Sequence, residues 1–164
     1  MRLFFTLLLS ILFINPVFSA VLEAGVSVNE IPDDFFGSWR VNATLENTNS
    51  HSTFKPKSMD FWNLSRKTDR VILDNPFSGA NAEISIHTIE GNLVVFSKRV
   101  PYDNNKVLTD TVTLRLGENE FIGVNTLSLE SYSLVDNHLM KTETAVYKIK
   151  GEKIAGNSVL KRDK

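Results

Sequence analysis

The chain has 164 residues, with 18 Lys and Arg against 19 Asp and Glu, 42% hydrophobic residues and no cysteine. That length fits one domain, and the near-neutral balance gives no electrostatic footprint for nucleic acid or an anionic membrane surface. Without cysteine, a disulfide framework, a thiolate nucleophile and a Cys-based metal site are excluded, and the core must hold by burial alone.

Met1 to Ala20 reads as a secretory signal peptide. Arg2 is its positive n-region and Leu3 to Ile14 its apolar h-region. Asn15-Pro16 breaks the helix, and Val17-Phe18-Ser19-Ala20 ends in small residues suited to cleavage. The apolar run is short for crossing ~30 Å of hydrocarbon, and no charged stop-transfer flank follows. Cleavage after Ala20 removes one charge, Arg2, and leaves 17 basic against 19 acidic residues. The expectation is export, periplasmic or secreted, with no membrane attachment after cleavage. The absence of cysteine suits a bacterial periplasm.

Val21 to Glu30 is small and polar and is expected to be a flexible lead-in, with the domain proper spanning 31–164. Pro32 sets φ for a short helical turn, and Asp33 and Asp34 suit its positive N-terminal end. Phe35 and Phe36 add apolar surface before Gly37 ends the turn. Trp39, Val41, Ala43 and Leu45 then alternate with Ser38, Arg40, Asn42 and Thr44. That period of two marks a half-buried strand. An aromatic turn packed under such a strand would plug one end of a closed sheet.

Gly37-Ser38-Trp39, placed after a Phe-containing turn and before many strands, resembles the Gly-x-Trp opening of lipocalins and other calycin-type barrels. The resemblance implies an up-and-down barrel and a basic residue near the chain end packed over the opening Trp. Lys161 and Arg162 lie in that region. The family's later Thr-Asp-Tyr signature is not matched, because Thr109-Asp110-Thr111 departs from it at the aromatic.

Glu46 to Lys57 is polar and reads as a long loop. Met59 to Ser65 and Val71 to Leu73 read as strands, followed by the turn Asp74-Asn75-Pro76 and a loop over Ser78 to Asn81. Ala82 to Ile89 and Leu93 to Val100 form a hairpin about Glu90-Gly91-Asn92. Both faces of Leu93 to Val100 are partly apolar. After a loop at Pro101 to Asn105, Val107 to Leu116 is a long strand, turning at Gly117 to Glu120 into Phe121 to Leu129. Tyr132 to Val135 and Leu139 to Ile149 flank Asp136-Asn137-His138. Gly151-Glu152 is the expected last turn and Lys153 to Leu160 the final strand.

Such a meander must close or double over to hide its edges. The expected fold is all-β, a single antiparallel up-and-down barrel of about 8–10 strands, with a β-sandwich as the alternative.

His51, His87 and His138 are widely spaced and predict no metal site. No Gly-x-Ser-x-Gly elbow or phosphate loop is present, and Glu118 and Glu120 fall in a turn. No catalytic residues and no cofactor are expected. Asp110 breaks the apolar face formed by Leu108 and Val112. An inward carboxylate costs several kcal/mol unless paired or wet. Asp110 either holds the polar end of a ligand or sits at the barrel mouth or on a bulge that turns it outward. The expected ligand-binding residues are Trp39, Thr109 and Asp110, the last two if they face inward. Asn42 and Asn63 head glycosylation sequons, which need outward side chains.

The leading expectation is a binding module whose partner is an apolar or amphipathic small molecule. The alternative is an exported protein-interaction or protease-inhibitor-like barrel with a solid core, acting through Val21 to Glu30 and Glu46 to Lys57.

Overall fold

The structure, a computed structural model, describes residues 27–156. The expected signal peptide, most of the lead-in, and Lys161 and Arg162 lie outside the described residues. Two 3₁₀ turns, Val28–Glu30 and Asp33–Phe35, lead into eight strands. These are β1 (Gly37–Thr48), β2 (Lys57–Lys67), β3 (Arg70–Asp74), β4 (Asn81–Glu90), β5 (Leu93–Asp103), β6 (Lys106–Leu116), β7 (Glu120–Tyr132) and β8 (Leu139–Ala155). Each pairs antiparallel with the next, and β8 returns to β1, so the sheet closes into an up-and-down barrel. Closure gives every strand two neighbours and leaves no edge strand, which a sandwich would have kept.

Near the C-terminal end the sequence pattern divides what the described residues form as one strand. β8 runs unbroken through Gly151 and Glu152, where a hairpin turn was expected. Gly151 is there because the Phe121 ring fills its side-chain position. A Cβ on residue 151 would lie 2.2 Å from that ring. Tyr132 ends β7, and Ser133 to His138 form the turn that follows. The Glu46 to Lys57 loop is shorter than expected, because β1 extends to Thr48 and β2 begins at Lys57.

Alternation along the strands puts Trp39 and Val41 of β1, Trp62 and Leu64 of β2, Val94 and Phe96 of β5, and Val112 and Leu114 of β6 inside. The outer positions of β1 and β8 carry Arg40, Glu46, Lys148, Lys150 and Glu152. Arg40 pairs with Glu152, Glu46 with Lys148, and Lys150 with Glu120 of β7. Among the described residues no helix is long and apolar enough to cross a membrane.

The two 3₁₀ turns close the end where β1 begins. Gly37 makes the bend possible: its φ is +126°, and a Cβ would meet the Ala155 carbonyl oxygen at 2.5 Å. Phe35 is thereby fully buried, edge-on to Phe96 at a centroid distance of 5.7 Å. Trp39 is also fully buried, donates from Nε1 to the Phe35 carbonyl at 3.1 Å, and packs on Phe121 at 5.1 Å. Trp62 stacks on Phe121 at 5.8 Å and meets Phe96 at 6.2 Å. These aromatics fill the interior of this end.

The basic residue over the opening Trp is Lys153, with Nζ 5.2 Å from the Trp39 ring centroid. Its ammonium also donates to the Asp34 carbonyl at 3.0 Å, tying β8 to the plug.

Candidate ligand-binding cup

Four inward rows, each crossing β5 to β8, ascend from the plug. The lowest is Val94, Leu114, Gly123 and Ile149, and the next is Phe96, Val112, Asn125 and Tyr147. Above them lie Lys98, Asp110, Leu127 and Ala145, and then Val100, Leu108, Leu129 and Glu143. The lower aliphatic and Phe residues are sealed, with Val94, Leu114, Phe96 and Val112 at most 2% exposed. In the upper rows Lys98, Val100, Leu108 and Leu127 are only half-buried, as are Ala43 and Leu45 on β1. Asp110, Ala145, Leu129 and Glu143 of the same rows are buried, so this upper half, the candidate cup, is a less tightly sealed apolar wall around a polar patch.

The wall of the cup is notched on one side. β3 is short, and its last pair with β2 is Asp74 with Asn63. Above that level β2 is held only by β1. On the other flank, pairing of β4 with β5 begins at Ser85 and Ser97, leaving Lys98 to Asp103 of β5 without a β4 partner. Asp60 sits beside this notch, facing the same side of β2 as Trp62. It accepts hydrogen bonds from Asn75 Nδ2, from the Phe61 N–H at 2.9 Å and from Trp62 Nε1 at 3.3 Å.

Asp110 faces into the barrel and is 8% exposed, with no bulge at its position to turn it outward. Lys98, directly opposite on β5, brings Nζ to 3.4 Å from Asp110 Oδ2. Asp110 Oδ1 is buried without a hydrogen-bond partner, and so is Asn125 Oδ1 one row below. Burial pushes the Asp110 carboxyl above its ordinary range. The Lys98 charge and side-chain hydrogen bonds from Lys98 and Asn125 pull it part of the way back. The charge of Asp60, on the strand diametrically opposite, adds to the upward push.

The remaining expected ligand residues are placed elsewhere. Thr109 faces outward, where its hydroxyl accepts from Arg99 Nη1 at 2.7 Å. Arg99 also donates to Glu130 at 2.7 Å, and Tyr132 donates to the same carboxylate oxygen. These bonds, with Tyr132 the stronger, hold Glu130 below the ordinary carboxylate range. Thr109 therefore belongs to an outer-wall network and does not share Asp110's face, as strand alternation requires. Trp39 lies in the sealed half, a core residue and not part of the cup wall.

The β1–β2 connection folds over the rim. Phe54 tucks inward at 7% exposure, and the Tyr147 hydroxyl donates to the Lys55 carbonyl at 3.0 Å. Glu143 anchors this turn, accepting from Ser50 Oγ and, at 2.8 Å, from Thr53 Oγ1. Lys141 Nζ lies 2.9 Å from the same carboxylate. The Ser50 bond first, then Lys141 and Thr53, lower the Glu143 pKa to about 2.

Lys98, Asn125 and Asp60 were missed in sequence, yet each breaks an inward apolar series. Lys98 interrupts Val94, Phe96 and Val100; Asn125 interrupts Phe121, Leu127 and Leu129; Asp60 precedes Trp62 by two. Only the register shows that Lys98 and Asp110 are cross-strand partners.

His51 is exposed, His87 pairs with Ser97 at 2.7 Å and His138 with Asp136 at 2.6 Å, so the three stay separate. No group of metal-ligating residues occurs among the described residues. Asn63 is buried and accepts from Ser38 Oγ at 3.1 Å, so of the two sequons only Asn42 is presented outward. A shallow groove of about 800 Å³ crosses the outer wall over Leu93, Ile122 and Val124. Its flanking Lys148 and Lys150 are already paired with Glu46 and Glu120.

No family model matches the chain, and no curated protein matches it. A solved structure of EF1p2_mFAP2b bound to DFHBI is similar to 72% of this chain over 92% of its own length, at 9% identity and a TM-score of 0.33.

Proposed function

We propose that this chain is an exported binding barrel that seats an amphipathic small molecule in the upper half of its interior. The observation that carries the reading is Asp110, buried on the inner wall with one carboxylate oxygen unpartnered. A buried acceptor left unpaired costs about 1–3 kcal/mol, more when charged. A ligand donor that reached Oδ1 would recover that cost. The half-buried apolar residues around it, Leu108, Leu127, Ala43 and Leu45, would take the ligand's apolar body. The sealed aromatic half serves as the rigid floor. Export rests on the signal-like segment Met1 to Ala20, and N-terminal sequencing of the mature protein tests it: a start at Val21 is expected.

The test of binding is titration of an uncharged solvatochromic dye into the folded protein. Saturable binding with a blue shift, lost on filling the cup by Leu108→Trp, is the expected outcome. An unchanged dye spectrum would refute the reading.

A second reading, a protein partner, draws on the rim. Leu134 and Val135 in the β7–β8 turn are 79% and 96% exposed, with Leu139 and Met140 beside them also exposed. Clustered apolar tips of this kind mark contact surfaces. On this reading the contact surface would be the β7–β8 turn, whereas the sequence expectation was Val21 to Glu30 and Glu46 to Lys57. Leu134→Ser with Val135→Ser would abolish partner capture while leaving dye binding intact.

A further inference from the structure

Resting on the cup reading above, we propose that the ligand's polar end is a protonated amine and not a carboxylate. The charged side chains facing the interior at that level are Lys98 on β5, Asp110 on β6 and Asp60 on β2, opposite. Two are acidic and one is basic, and the one cation is already engaged with Asp110 Oδ2. A carboxylate seated at this level would find Lys98 committed and two negative charges facing it; the other lysines on the inward face, Lys106 and Lys141, lie at the rim, and Lys141 is paired with Glu143.

The hydrogen-bonding inventory points the same way. The two unsatisfied buried atoms among the described residues are both on this wall, Asp110 Oδ1 and Asn125 Oδ1, and both are acceptors. A fatty acid or phosphate head would bring more acceptors to acceptors. An ammonium brings three donors and nothing else. It can meet both free oxygens while its charge is balanced by Asp110, a charge-assisted geometry stronger than a neutral one. Asp60, beside the notch and half-satisfied by Asn75 and Trp62 Nε1, supplies the negative potential along the entry side. The alkyl body would then lie against Leu108 and Leu127.

The experiment is displacement of the uncharged solvatochromic dye from the purified protein by three compounds of equal chain length: decylamine, decanol and decanoate. Decylamine should displace the dye at a concentration at least about tenfold below decanoate, a difference of ~1.4 kcal/mol. Decanol should fall between them. Asp110→Asn should reduce the amine-over-acid preference several-fold, and Asp60→Asn should reduce it by less. Asp60 is exposed, so its variant folds even where the Asp110 variant does not. Equal displacement by all three, or a preference for decanoate, overturns the amine assignment and leaves the cup standing. A preference for the amine that neither variant changes also overturns it. Failure of dye and all three compounds to bind removes the cup and this inference with it.

Discussion

The two halves of the barrel interior are made by the same strands and differ in what their inward side chains do. Toward the plug, Trp39, Phe121, Trp62, Phe96 and Phe35 interlock within ring distances of 5.1–6.2 Å. Toward the rim, the same faces carry Lys98, Asp110, Asn125 and Glu143. Aromatic packing supplies large buried area and orienting ring contacts at one end. The other end carries unpaired buried oxygens that no stability argument favours. Tight aromatic packing and buried polarity are thus divided along the barrel axis. A polar patch that costs free energy is held in place by the packed half beneath it.

Breaking the packed half should have the largest effect. Trp39→Ala is expected to cost about 3–5 kcal/mol, the range for a buried aromatic truncated to Ala. Paired denaturant melts measure it, and a loss below about 1 kcal/mol would show that the plug is not the stability centre. Gly151→Ala forces a Cβ to within 2.2 Å of the Phe121 ring. Overpacking of this kind is expected to cost about 1–3 kcal/mol in the same melts. If the halves are independent, the folded Gly151→Ala protein keeps the dye affinity of the parent.

The rim should respond to acid. Glu143 is held down to about 2 by Ser50, Lys141 and Thr53, below its ordinary 4.5. A carboxyl depressed on folding gives stability that is present above the ordinary value and is lost as pH falls through the folded one. The hydrogen-exchange protection of the Ser50 to Phe54 turn, relative to intrinsic exchange at each pH, should therefore be highest near neutrality and fall as pH drops from about 4.5 toward 2. A turn equally protected across that window would show that Glu143 does not hold it.

The smallest effect is expected at Asp110, and its sign is reversed. Its carboxyl is raised by burial. Its ionised form is therefore penalised in the folded state, and stability is lost as pH rises through the folded value. Asp110→Asn lifts the penalty on the buried carboxylate but leaves the half-buried Lys98 ammonium without its partner, so the two effects offset and stability near neutrality should shift by no more than about 1 kcal/mol, the shift fading in acid. Melting temperatures of both proteins across pH decide it. A shift this small together with a loss of amine preference would separate the two halves most sharply.

The fold was legible because period-two alternation is a local property. Trp39, Val41, Ala43 and Leu45 announce an inner face, and so do Leu108, Val112, Leu114 and Leu116. The C-terminal misreading at Gly151 has a long-range cause. Glycine in a polar setting reads as a turn, and only the Phe121 ring, thirty positions earlier in the chain, shows that the residue is small because a neighbour occupies its space. Lys153, which lies over Trp39, escaped notice for the same reason. With the turn removed, β8 runs straight past the plug, and Lys153 faces Trp39 in register.

The alternating strands up to Ile149, the plugging turn at Pro32 to Gly37 and the oddity of Asp110 on an apolar face were readable in the amino-acid order alone. These follow from side-chain type and spacing along a single strand. The tertiary structure alone decided that Asp110 faces Lys98, that Asp60 lies across the barrel, and that Thr109 belongs to Arg99 and the outer wall. Register and closure set those relations, and both depend on strand pairs far apart in the chain. A one-residue slip would have turned Asp110 into solvent and Thr109 into the cup.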